Sequence, residues 1–114
     1  MVFIQESKLE IVTLRTFHSL GGNGSISGEF TSSVGAAGGL ITMWDDNFFT
    51  VESKLVAQRF ILLVGVIKLQ TFKCGFGNIY APNDDRERQV FWNELGTVIN
   101  NIEIPWCLGV ILIQ

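Results

Sequence analysis

The feature that most constrains this chain is an unbroken apolar stretch, Phe60–Ile67, set between Arg59 and Lys68. It is too short to cross a bilayer, which takes about 20 apolar residues. A strand with one wet face would alternate apolar and polar side chains, and this stretch does not alternate. It therefore reads as a strand in the middle of a sheet covered on both faces. The fold has to provide two covering layers for it.

The rest of the sequence is consistent with that demand. Apolar residues make up 47% of the 114 and charged residues 17%, a balance of a packed core and not of disorder. The length suits one small domain, 1–114. Twelve glycines against two prolines point to many turns, as in a sheet-rich fold. The net charge of -3 leaves no general electrostatic footprint for nucleic acid, so a polyanion site has to be local.

Val2–Gln5 reads as a short strand. Ser7 caps a weak helix carrying Leu9, Val12 and Phe17, which ends at the Gly21-Gly22 pair. The Gly-, Ser- and Ala-rich segment 21–39 reads as loop with one short strand over 26–30. Leu40-Ile41-Thr42-Met43-Trp44 and Phe48-Phe49-Thr50-Val51 flank Asp45-Asp46-Asn47, a hairpin signature. Segments 69–72 and 76–81 read as one strand, interrupted or bulged at Gly75 and Gly77.

Asp84 with Glu87 resembles a capping box and opens a helix near 85–101. Val90, Phe91, Leu95, Val98, Ile99 and Ile102 form its apolar stripe. Pro105 follows, and 106–113 reads as a buried strand. This order of mainly antiparallel strands in a mixed sheet, with one well-defined helix, predicts the α+β class or an α/β sandwich.

Four segments in order carry a resemblance: Val2-Phe3-Ile4-Gln5-Glu6-Ser7-Lys8; Gly38-Gly39-Leu40-Ile41-Thr42-Met43-Trp44; Asn78-Ile79-Tyr80-Ala81-Pro82-Asn83-Asp84-Asp85-Arg86; and Phe91-Trp92-Asn93-Glu94-Leu95 with Ile104-Pro105-Trp106-Cys107-Leu108-Gly109. Together they are similar to the endonuclease domain of plant non-LTR (LINE-type) retrotransposons, within the endonuclease/exonuclease/phosphatase superfamily. The resemblance runs along the whole chain and covers about half of such a domain. It implies part of a four-layer α/β sandwich and a magnesium-dependent phosphodiesterase acting on DNA.

The chemistry of that reaction accounts for the residue types. A metal neutralises charge developing on the phosphate and acidifies a water, and Mg2+ is held by one or two carboxylates while keeping several waters. The resemblance makes Glu6 the metal ligand, Tyr80 the active-site tyrosine and Asn83 the phosphate-side asparagine. Tyrosine donates to a phosphate oxygen, and asparagine both donates and accepts. Taken without the motif, 80–83 is a strand ending in a Pro-Asn turn, which is also where such a site sits. Arg86 is in reach of a nucleic-acid backbone, although an arginine in a first helical turn is more often merely solvated.

The same resemblance implies losses. The family carries an earlier strand with a Trp-Asn pair, a Gly-Asp-Phe-Asn segment where this chain has Gly109-Val110-Ile111-Leu112-Ile113-Gln114, and later Asp and His residues. Deleting one base from a suitable Gly-Gly-Asp-Phe-Asn-Thr coding stretch yields that ending. The expectation is a catalytically inactive remnant, with an active metal-dependent nuclease and a non-catalytic partner-binding domain as alternatives. Half of a two-sheet sandwich would leave a sheet face uncovered, with Phe60–Ile67 on it, and so would self-associate.

Other residues have plainer readings. Cys74 and Cys107 lack metal-ligand spacing and read as buried free thiols. His18 has no acidic neighbour and reads as a surface or half-buried side chain, not a base. Trp44, Trp92 and Trp106 read as core. The first residues contain neither a basic region nor a long apolar stretch, so no secretory signal is expected and a cytoplasmic or nuclear location is.

Overall fold

The computed structural model describes residues 1–5, 25–31 and 39–112. The helix expected from Ser7 through Phe17, together with Glu6 and His18, lies outside the described residues. Seven strands and one helix are described: β1 (Val2–Gln5), β2 (Ile26–Thr31), β3 (Leu40–Asp45), β4 (Phe49–Ala57), β5 (Phe60–Ile67), β6 (Phe72–Ala81), α1 (Asp85–Asn100) and β7 (Trp106–Leu112).

The strands form two sheets, β1-β3-β2 and β4-β5-β6-β7. All pairings are antiparallel except β6 with β7, which run parallel. The sheets face each other, and α1 lies on the far side of the four-stranded one. This is the expected α+β sandwich, with mixed pairing and one helix beginning at 85.

Phe60–Ile67 does occupy the middle of a sheet, flanked by β4 and β6. Ile61 and Leu63 point between the sheets, into a core of Leu40, Trp44, Phe49, Cys74 and Tyr80. Leu62 points the other way, to Ile79 and to Leu95 of α1. Both faces are therefore covered within this chain. That corrects the expectation of an uncovered face carrying Phe60–Ile67, because β1, β2 and β3 form a second sheet over one face and α1 a helical layer over the other.

Two local expectations fail. The Asp45-Asp46-Asn47 turn does not close a hairpin, because β3 already has β1 on one edge and β2 on the other. The turn carries the chain from one sheet to the other. Asp45 Oδ1 accepts from the Asn47 N–H at 2.8 Å, and the Phe48 N–H donates to the Asp45 carbonyl at 2.9 Å. Ser27 Oγ donates to the Asp46 carboxylate at 2.7 Å and anchors the turn to β2. β4 then extends to Ala57, well beyond the segment read as strand.

Nor is β6 bulged. Its register with β5 is continuous, and the irregularity falls in β4 between Val51 and Ser53. Gly75 and Gly77 serve packing instead: a Cβ on Gly77 would stand 2.6 Å from Leu108 Cδ2, and one on Gly75 would collide with the Trp106 ring. Leu69, expected in the strand, lies in the β5–β6 turn and is 94% exposed.

Asp84 caps α1, accepting from the N–H groups of Arg86 at 2.9 Å and Glu87 at 3.1 Å. Leu95 is the buried residue of the helix, with Phe91, Trp92, Val98 and Ile99 packed around it. Val90 departs from the expected stripe and is exposed, since it falls at its edge beside a groove. Cys74 is buried as read, but Cys107 is exposed on the edge strand β7, and both are free.

Candidate functional site

Polar side chains tie the two sheets together near the C-terminal ends of β1 and β6. Asn78 is fully buried in β6, and its Nδ2 donates across the sandwich to the Ile41 carbonyl at 3.0 Å and Thr42 Oγ1 at 3.2 Å, with the Ile4 carbonyl at 3.4 Å. Gln5 reaches back from β1, its Nε2 donating to the carbonyls of Ile79 and Gly109, both at 3.2 Å. Close contact is possible there because Gly109 has no side chain: a Cβ on it would stand 2.6 Å from Phe3 Cδ2.

These bonds bring three strands together. Ile4 lies against Asn78 and Gln5 against Ile79, so β1 and β6 advance in the same direction, and β7 is parallel to β6. The C-terminal ends of β1, β6 and β7 therefore lie toward the same end of the sandwich. The sequence reading had Gln5 only as part of a motif; its role as the bolt between sheets was not visible in it.

Tyr80 is the penultimate residue of β6 and is buried between the sheets. Its N–H donates to the Arg59 carbonyl at 2.8 Å, and the Arg59 guanidinium carbon lies 5.6 Å from the centre of its ring. A guanidinium over an aromatic face is a favourable contact. Arg59 Nη1 is buried and has no hydrogen-bond partner.

Asn83 is exposed three residues on, in the loop before α1. Arg88 braces that loop, with Nε donating to the Pro82 carbonyl at 3.0 Å and Nη2 to the Asn83 carbonyl at 2.7 Å. The Asn83 amide is thus carried on a fixed backbone. Arg86 is exposed in the first turn of α1, beside a groove of about 420 Å³ that Arg59, Pro82, Glu87, Val90, Phe91 and Glu94 also line.

Tyr80, Asn83 and Arg86 therefore share one end of the sandwich, and Arg59, which the sequence does not single out as a site residue, joins them. Its signal was faint: a lone arginine before an apolar run reads as a strand-end charge. Glu6 lies outside the described residues, so its distance from this end is not part of the geometry. Among the described residues no group of three or more His, Cys, Asp or Glu converges on one point.

Burial raises the Cys74 thiol above its usual range, and charge on Cys107 acts in the same direction. Cys74 therefore stays protonated and inert, a packing residue of the core. No helix among the described residues is long and apolar enough to cross a membrane.

No protein-family model matches this sequence, and no curated protein does. Among solved structures, the human Nocturnin catalytic domain with bound sulfate anion is similar, with a TM-score of 0.64 at 12% identity. The match covers 95% of this chain and 49% of that one, so the chain spans about half the length of the Nocturnin domain. At such low identity the likeness is one of fold alone, a partial α+β sandwich.

Proposed function

We propose that this chain is a non-catalytic remnant of a magnesium-dependent phosphodiesterase domain of the LINE-type endonuclease branch, keeping part of a phosphate-facing end built for DNA. The observation that carries the reading is the Gln5 bridge to Ile79 and Gly109. It sets the strand that leads into Glu6 beside the strand that leads into Tyr80 and Asn83. Gln5, Tyr80 and Asn83, motif residues far apart in sequence, thereby lie toward one end of one sandwich. A bound sulfate in the Nocturnin catalytic domain is in keeping with oxyanion chemistry on this fold.

Inactivity follows from residue types. After Gly109, β7 continues as Val110-Ile111-Leu112, where the resembled family has Gly-Asp-Phe. Aliphatic side chains neither bind a metal nor move a proton. Groups of a catalytic set act as a unit, so losing some removes most of the rate. The test is plasmid nicking with and without Mg2+. The expected result is none; magnesium-dependent nicking abolished by Glu6→Ala would overturn the inactivity.

A second reading, a partner-binding domain, is favoured by the β7 edge. That strand has no charged residue, and Leu108 and Val110 are each 41% exposed. The opposite edge, β4, is guarded by a bulge and by Glu52 and Lys54. A second copy suits the β7 edge, because antiparallel pairing about Gly109 sets Leu108 of each copy opposite Val110 of the other. The free cysteines agree with a reducing, cytoplasmic or nuclear compartment.

A further inference from the structure

On the helix side of the four-stranded sheet, α1 and the start of β5 border a partly enclosed cavity of about 170 Å³. Phe60 forms its sheet wall, and Phe91, Leu95 and Val98 form its helix wall. These three fall at positions i, i+4 and i+7 of α1, on one stripe of the helix. Leu95 is buried, and Phe60, Phe91 and Val98 are half-buried. Phe60 pairs with Ile79 and packs with the helix-side core, whereas Tyr80 belongs to the core between the sheets. Tyr80, Asn83 and Arg86 do not line this cavity, so it stands apart from the phosphodiesterase reading.

Glu94 is the one charged side chain among the lining residues. It is exposed, and among the described residues it makes no ion pair. The positions one turn away on α1 are Val90, Phe91, Thr97 and Val98, none of which carries a positive charge. An apolar slot with a single carboxylate at its edge selects a ligand with an apolar body and a cationic head. Size narrows the body: a cavity of about 150 Å³ lined by Leu, Ile and Phe takes up benzene, so this one suits a single ring. Lining chemistry favours an aromatic ring. The Phe60 and Phe91 rings stand 6.3 Å apart at 57° and present aromatic surface from both walls. Ring-to-ring contacts of that kind add to simple apolar burial.

We infer that this cavity is a binding site for a small aromatic amine. Its ring lies among Phe60, Phe91, Leu95 and Val98, and its protonated nitrogen donates to the Glu94 carboxylate. Phe60, Phe91 and Val98 thereby set the shape of the ligand, and Glu94 sets its charge.

The test uses phenethylamine as probe, titrated into the whole chain and read at the backbone amides and at the Leu95 and Val98 methyl signals. Saturable shifts are expected at Phe60, Phe91, Leu95 and Val98. Phenethyl alcohol, which keeps the shape and drops the charge, should bind about threefold more weakly, because an exposed ion pair contributes little. Phenylpropionate, with a carboxylate in place of the amine, should be weaker still. Ethylamine, which has the cation and no ring, should give no saturable shifts. Glu94→Lys should reverse the order and place phenylpropionate ahead of phenethylamine. Because Glu94 is exposed, that variant leaves the core in place. Val98→Phe fills the cavity and should abolish binding of amine and alcohol alike; where it fails to fold, Glu94→Lys decides. Absence of saturable shifts in the cavity overturns the inference. So does equal binding of amine and alcohol, or an order of affinities that Glu94→Lys leaves unchanged.

Discussion

Replacing Asn78 tests whether the sheets are held together where the account needs them to be. Asn78→Ala removes two good donations, at 3.0 Å and 3.2 Å; the third, at 3.4 Å, is near the limit of a useful bond. Two such bonds contribute about 1 kcal/mol each, and the space left by the trimmed side chain adds about 1 kcal/mol. One gain opposes these losses. Asn78 Oδ1 is buried without a partner, and deleting it recovers about 1 kcal/mol of desolvation. The net expectation is a loss of about 2 kcal/mol. Asn78→Asp should cost more, because a buried carboxylate would face the carbonyls that the amide now serves. Urea unfolding measures both: at an m-value of about 2 kcal/mol/M the alanine variant's midpoint falls by about 1 M with its slope unchanged. A change in stability of the alanine variant under about 0.3 kcal/mol, or an aspartate variant no worse than alanine, would mean that the Asn78 amide does not hold the sheets together.

Other expectations follow from the same geometry. Gly109→Ala should destabilise by about 1–3 kcal/mol on thermal melting, since its Cβ would press on the Phe3 ring; unchanged melting would mean β1 and β7 are not in close contact. A thiol reagent at mildly alkaline pH should label the exposed Cys107 quickly and the buried Cys74 only on unfolding; equal rates would contradict the packing. The raised Cys74 pKa also has a signed consequence. Below the unfolded thiol's pKa both states hold the proton, whereas above it the unfolded chain deprotonates first. Stability should therefore decline from that pH up to the folded pKa, and Cys74→Ala should abolish this part of the pH dependence. Val110→Lys should shift sedimentation from dimer toward monomer if β7 pairs with a second copy, and leave it unchanged otherwise.

What the sequence disclosed depended on range. Phe60–Ile67 and the helix from 85 are encoded in consecutive residues, through an unbroken apolar run, a capping aspartate and a spaced stripe, and both stand in the structure as read. The Asp45-Asp46-Asn47 turn misled because turn chemistry is local, while the choice of partner for β3 is made by β1 and β2 from elsewhere in the chain. Gly75 and Gly77 read as a disruption when their purpose is room for Trp106 and Leu108, thirty-one positions later in each case. The site behaves similarly. Tyr80, Asn83 and Arg86 sit close in sequence and were legible as a motif, whereas the Gln5 bridge and the stacking of Arg59 on Tyr80 exist only once the sandwich closes.

The proposed function requires one end of this sandwich to face phosphate. The most direct measurement is a titration with a short single-stranded DNA oligonucleotide, read at every backbone amide. Shifts are expected at Gln5, Tyr80, Ala81, Asn83 and Arg86, shrinking as salt is raised because phosphate contacts release counterions. Shifts confined to the β4 edge or to the β5–β6 turn at the other end of the sandwich, or none at saturating oligonucleotide, would contradict it.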